Sequence, residues 1–206
     1  MKNSSPDSGV DLTQEKSLFS IYVAYRSSQR IPKFNIFITI FSLILISVGT
    51  FQSKSSLHDL RLAIIDLANV GIQTCATLLG FLVAGYTIFL TLVKPEHVKA
   101  LSSICVTSTK LPYFKHVNFT FINVFIQYLI YFIFVTILRV FLIPHNGIEE
   151  IIRDNIGLYK VSIYCKTFIV IFALWSVVLA LYLKSFIYNI YSSSMILFKL
   201  NYEELI

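Results

Sequence analysis

The chain has 206 residues, of which 56% are hydrophobic and only 14% charged, with a formal net charge of +6 and a mean hydropathy of +0.73. Soluble domains hold roughly 45–50% apolar and about 25% charged residues, so this composition excludes an ordinary water-soluble fold and calls for a bilayer as solvent. The 12 tyrosines and 18 phenylalanines agree, because Tyr favours membrane interfaces.

Residues 1–33 begin with polar side chains, and their apolar stretch at 18–25 is short and lacks a small-residue cleavage site after it. They read as a retained cytoplasmic tail with a possible interfacial helix, not as a secretory signal. Four later stretches are long and apolar enough to span a bilayer: 34–51, 70–93, 117–143 (interrupted by Arg139) and 161–183 (with Lys166 near its start). Backbone groups in hydrocarbon must be satisfied within their own helix or in a closed barrel, and these runs lack the alternation of barrel strands. The expected fold is therefore all-α: a four-helix transmembrane bundle over 34–183, with a cytoplasmic C-terminal segment at 184–206. Within that segment, 186–200 is a second candidate for lying along the membrane surface. Pro95 and Pro112 break the middle loop, and Pro144-His145-Asn146-Gly147 opens the third.

Lysine and arginine set the expected orientation. The tail (Lys2, Lys16, Arg26, Arg30, Lys33), the middle loop (Lys94, Lys99, Lys110, Lys115) and the C-terminal segment (Lys184, Lys199) hold eleven cations. The opposite side holds six: Lys54, Arg61, Arg139, Arg153, Lys160 and Lys166. The positive-inside rule places both termini and the middle loop in the cytoplasm. The cytoplasmic cations Lys94, Lys99, Lys110 and Lys115 are candidates for anionic headgroups or an acidic cytoplasmic partner. No basic patch is interleaved with aromatics, so direct nucleic-acid binding is not expected.

Two intramembrane patterns stand out. Ala76, Gly80 and Ala84 recur at steps of four in the second span, with Gly71 and Cys75 starting a neighbouring row. Small residues so spaced let another helix approach closely, either inside the monomer or between subunits. In the third span, Thr120, Asn123, Gln127 and Tyr131 share one face. Amides in the bilayer seek partners or water, so this face is an interhelical hydrogen-bond cluster or, alternatively, a polar lining shared between subunits. Arg139 lies on another face near the Pro144 turn, from which it reaches headgroups by snorkelling, as does Lys166.

The chemistry-bearing motifs are missing. The four histidines are scattered in loops, and Cys75, Cys105 and Cys165 have no metal-type spacing. There is no His-Glu-x-x-His, Gly-x-Ser-x-Gly or phosphate-cradling loop, and no central acid of the kind a proton-coupled transporter needs. The expectation is a protein that is not an enzyme and takes no cofactor or metal.

The stretch Thr77-Leu78-Leu79-Gly80-Phe81-Leu82-Val83-Ala84-Gly85-Tyr86-Thr87-Ile88 resembles a pattern in small bacterial phage-defence membrane proteins, in which a Leu-Gly-Phe core followed by small residues opens a packing helix. Retron-linked membrane effectors look like this, as does the four-span membrane subunit of the Kiwa defence system, which this chain also resembles in size and layout. The resemblance implies a homo-oligomer in the bacterial inner membrane that works with a cytoplasmic protein partner. Two functions follow as expectations: a sensor or anchor subunit of a defence complex, or a pore-forming effector that depolarises the membrane.

Overall fold

The computed structural model describes Ser17, Val23 and residues 32–105, 111–142 and 158–203. The possible interfacial helix at 18–25, apart from Val23, and Lys110 lie outside the described residues. Five helices are present among them: α1 (Lys33–Gln52), α2 (Leu57–Leu92), α3 (Pro95–Ser103), α4 (Tyr113–Phe141) and α5 (Leu158–Glu203). The only β-type pairing there is an isolated bridge between Cys105 and Pro112. Helices α1, α2, α4 and α5 are each long and apolar enough to cross a membrane. The chain is thus an all-α, multi-pass membrane protein.

Two helices run past the spans read from hydropathy. Helix α2 begins at Leu57, and its start is fixed by a reciprocal cap: Ser56 Oγ and N–H donate to Asp59 Oδ2 at 2.7 and 3.0 Å, and Asp59 N–H donates to Ser56 Oγ at 3.2 Å. Asp59, Arg61 and Asp66 lower the hydropathy of this first part without interrupting the helix. Helix α5 continues through 46 residues, about 69 Å at the usual rise. Residues 186–200 are helical and continue from the fourth apolar stretch without a break. No proline or glycine interrupts Leu158–Glu203, so nothing stops the helix at the membrane boundary.

The chain forms two compact units. One comprises Ile31–Val83 and Gln127–Ser185. Its centre is an aromatic ladder between α4 and α5: Tyr131 stacks on Phe172 at 5.2 Å and meets Trp175 edge-on at 5.3 Å, and Phe134 lies 5.3 Å from Trp175. Lipid tails are as apolar as these side chains, so close packing and hydrogen bonds, not water exclusion, hold such helices together.

Helix α1 belongs to this unit and has no fully buried residue. Its half-buried face carries Asn35, Thr39, Ser42, Ser47 and Thr50 with Ile38 and Ile46 among them, while Phe37, Phe41, Ile44, Leu45 and Val48 point outward. That reverses the pattern of a soluble amphipathic helix: the wholly apolar face is offered to lipid, and the face holding the small and polar residues meets protein. Both ends of α1 are held by α5. Lys166 Nζ donates to Ser53 O at 2.7 Å, and Lys184 Nζ sits 4.3 Å from the Phe34 ring centre. The two helices therefore run antiparallel here.

The second unit includes Ala84–Ile126 and Phe186–Ile206. Phe121 is its hub, 5.3 Å from Phe89, 5.1 Å from Tyr86 and 4.9 Å from Phe186. Short helix α3 starts at Pro95, and His97 Nδ1 accepts the Lys94 N–H at 3.5 Å. The buried polar or charged side chains among the described residues (His97, Lys115, Thr120, Asn123 and Ser193) all lie in this unit.

Candidate functional site

The small residues of α2 divide into two rows with opposite surroundings. Gly71 and Cys75 are buried. A Cβ on Gly71 would stand 3.3 Å from the Tyr131 hydroxyl and 3.4 Å from Val135, so the missing side chain is what lets α4 approach. Ala76, Gly80 and Ala84 are exposed, and a Cβ on Gly80 would meet nothing within 4 Å. Gln73 and Thr77 share this exposed face. Thr77 turns its hydroxyl back to Gln73 O at 3.0 Å. Helix α1 turns its small polar residues inward, whereas α2 turns a comparable stripe outward.

The polar row of α4 is an inward-facing set. In the unit containing α3, Thr120 and Asn123 are 1% and 3% exposed, and Thr120 Oγ1 donates to His116 O at 2.9 Å. One turn earlier, Tyr86 donates to Asn118 Oδ1 at 2.9 Å and Asn118 Nδ2 donates to Phe114 O at 2.8 Å, an α2–α4 link. In the unit containing α1, Gln127 is half-buried, and the buried Tyr131 hydroxyl bonds Ser176 Oγ on α5 at 2.7 Å. Tyr128 donates to Leu179 O at 3.0 Å. The bonds of Tyr86, Tyr128 and Tyr131 cross between helices, while Thr120 and the Asn118 amide bond back to their own helix; both arrangements give polar groups the partners that a low-dielectric interior requires.

The candidate cations have different fates. Lys94 and Lys99 are exposed, as a headgroup or partner contact requires. Lys115 is only 6% exposed, with its Nζ 5.3 Å from the Phe119 ring centre, so it does not present a surface charge. Arg139 is half-buried, and its Nε donates to Asn69 Oδ1 at 3.0 Å, so it ties α4 to α2. Close by, Arg61 Nη2 donates to Leu142 O at 3.4 Å, near the C-terminal end of α4, where carbonyls lack helical partners.

Sequence patterns do not reveal Asn69, Ser176 or Ser53 as partners. Each lies 45 residues or more in the chain from the side chain it meets, and nothing in local periodicity links them. A polar residue in an otherwise apolar span was the only available signal, and it does not name the partner. Cys75, Cys105 and Cys165 are free thiols. Among the described residues no cluster of His, Cys, Asp or Glu is arranged to hold a metal ion. No family model, no curated protein and no solved structure matches the chain.

Proposed function

We propose that this chain is a membrane-embedded sensor or anchor subunit of a bacterial anti-phage defence complex, seated in the inner membrane with both termini in the cytoplasm. It assembles as a homo-oligomer and acts through a cytoplasmic protein partner, with no catalysis of its own. The observation that carries this reading over a pore is the burial of Thr120, Asn123 and Tyr131 inside the single chain. A pore shared between subunits needs that polar row on an outer surface, facing a common axis. The exposed Gln73, Ala76, Thr77, Gly80 and Ala84 face supports assembly, since small and polar residues in a membrane are better satisfied by another helix than by lipid. Exposed Lys94 and Lys99 supply cations for an acidic cytoplasmic surface or anionic headgroups.

The test is the mass and composition of the complex purified from native cells in mild detergent, paired with phage challenge of the same strain. A homo-oligomer holding a soluble protein, both needed for protection, is the expected result. A homo-oligomer alone, whose induced ion leak is abolished by Asn123→Leu with Gln127→Leu, would replace the sensor reading with the pore.

A further inference from the structure

Two opposite charges stand side by side, unjoined, where α2 and α4 reach the end of their apolar runs. Arg139 lies in the last turn of α4 and is half-buried, with its Nε held by Asn69 Oδ1 at 3.0 Å. Asp66 precedes Asn69 on α2 by three residues, about 60° around the helix and about 4.5 Å along it, and is exposed. Among the described residues neither Asp66 nor Arg139 makes an ion pair, with the other or with any third side chain. All three residues belong to one compact unit. Arg61 lies about 140° around α2 from Asp66 and donates to Leu142 O, so it does not neutralise that carboxylate.

We infer that Asp66, Asn69 and Arg139 form a site for the headgroup of phosphatidylethanolamine. The bond to Asn69 uses Nε and fixes the guanidinium plane. That leaves Nη1 and Nη2 for a phosphate, the acceptor whose paired oxygens match a guanidinium edge. Asp66 accepts from the primary ammonium that the same lipid carries a short linker beyond its phosphate.

The order of groups along α2 matches their order in the lipid. The apolar run begins at Val70, next to Asn69 on the inward side, and Val70 is 61% exposed, an apolar surface for acyl chains. Asp66 stands on the outward side of Asn69, where an ammonium lies farther from the hydrocarbon than its phosphate. Phosphatidylglycerol has no cation and would set its phosphate beside an uncompensated Asp66. Free phosphate has no chains to cover Val70. The segment after α4 carries both signs of charge in Glu149, Glu150, Arg153 and Asp154, but it offers no acyl chain for the exposed apolar surface that adjoins Asn69. The site rests on membrane embedding alone and is independent of the defence reading.

The test reconstitutes the full chain in nanodiscs with equal phosphatidylethanolamine and phosphatidylglycerol. Native mass spectrometry then counts the lipids that stay bound after stripping with mild detergent. The expected result is about tenfold greater retention of phosphatidylethanolamine, the ratio that one charge-assisted hydrogen bond supplies. Asp66→Asn, at an exposed position, should erase the preference, and Asp66→Lys should reverse it, which a merely structural residue would not do. Arg139→Gln should lower retention of both lipids. Equal retention by the unchanged chain, or a preference that survives both Asp66 variants, would overturn the site. So would retention that appears only after Glu149→Gln, Glu150→Gln and Asp154→Asn are combined, because the chain and not a lipid would then hold Arg139.

Discussion

Lys166 donates its ammonium group to Ser53 O at 2.7 Å, closing the C-terminal end of a helix that it meets only through the fold. The last carbonyls of any helix lack partners within it, and a cation placed there satisfies them and opposes the helix dipole. Lys184 grips the other end of α1 through the Phe34 ring. With no residue fully buried, α1 depends on these end contacts and on its polar stripe for its place beside α5.

Lys166→Met should therefore loosen α1 without unfolding the rest. The expected loss is on the order of 1 kcal/mol, and thiol accessibility of a cysteine at Ser47 should rise. Unchanged labelling at Ser47 would show that the stripe alone holds the helix.

The two glycines of α2 should respond oppositely to bulk. Gly71→Leu drives a side chain into Tyr131 and Val135 and should cost about 1–3 kcal/mol or more in detergent melting. Gly80→Leu meets nothing in the monomer, so melting of the monomer should hold while native mass shifts to smaller assemblies. Loss of monomer stability from Gly80→Leu would contradict an open face.

Tyr131 combines two contributions that substitutions can separate. Tyr131→Phe removes the bond to Ser176 and should cost about 1 kcal/mol, because Ser176 Oγ retains Phe172 O at 3.2 Å. Tyr131→Ala also removes the stack on Phe172 and the edge contact with Trp175, and should cost about 3–5 kcal/mol. Equal losses in thermal unfolding would mean that the hydroxyl, not the ring, dominates.

Arg139 and Asn69 form a pair suited to a double-mutant cycle. Arg139→Leu, Asn69→Leu and the double variant should reveal a coupling of about 0.6–1.7 kcal/mol, read from unfolding in mixed micelles. Additive losses would return Arg139 to a purely headgroup-facing role.

Much of the architecture is legible in the sequence. Length of apolar run decides whether a segment spans, so α1 and α4 lie close to the stretches at 34–51 and 117–143. Helix continuity was less legible, because hydropathy reports the membrane and not the helix: capped Ser56 and Asp59 start α2 in a charged stretch, and α5 passes Lys184 without a breaker. Of the candidate residues, periodicity placed Thr120, Asn123, Gln127 and Tyr131 on one face, and it paired Gly71 with Cys75.

Composition and periodicity thus determined by themselves that this is a four-span helical membrane protein, because bilayer thickness and backbone hydrogen bonding leave few alternatives for such runs. Only the tertiary structure decided which faces meet protein. A small residue on a helix suits either a neighbour in the same chain or open lipid. Gly71 lies against Tyr131 and Gly80 against nothing because each helix's rotation is set by contacts far away in sequence, from Tyr131 to Ser176, Arg139 to Asn69 and Lys166 to Ser53.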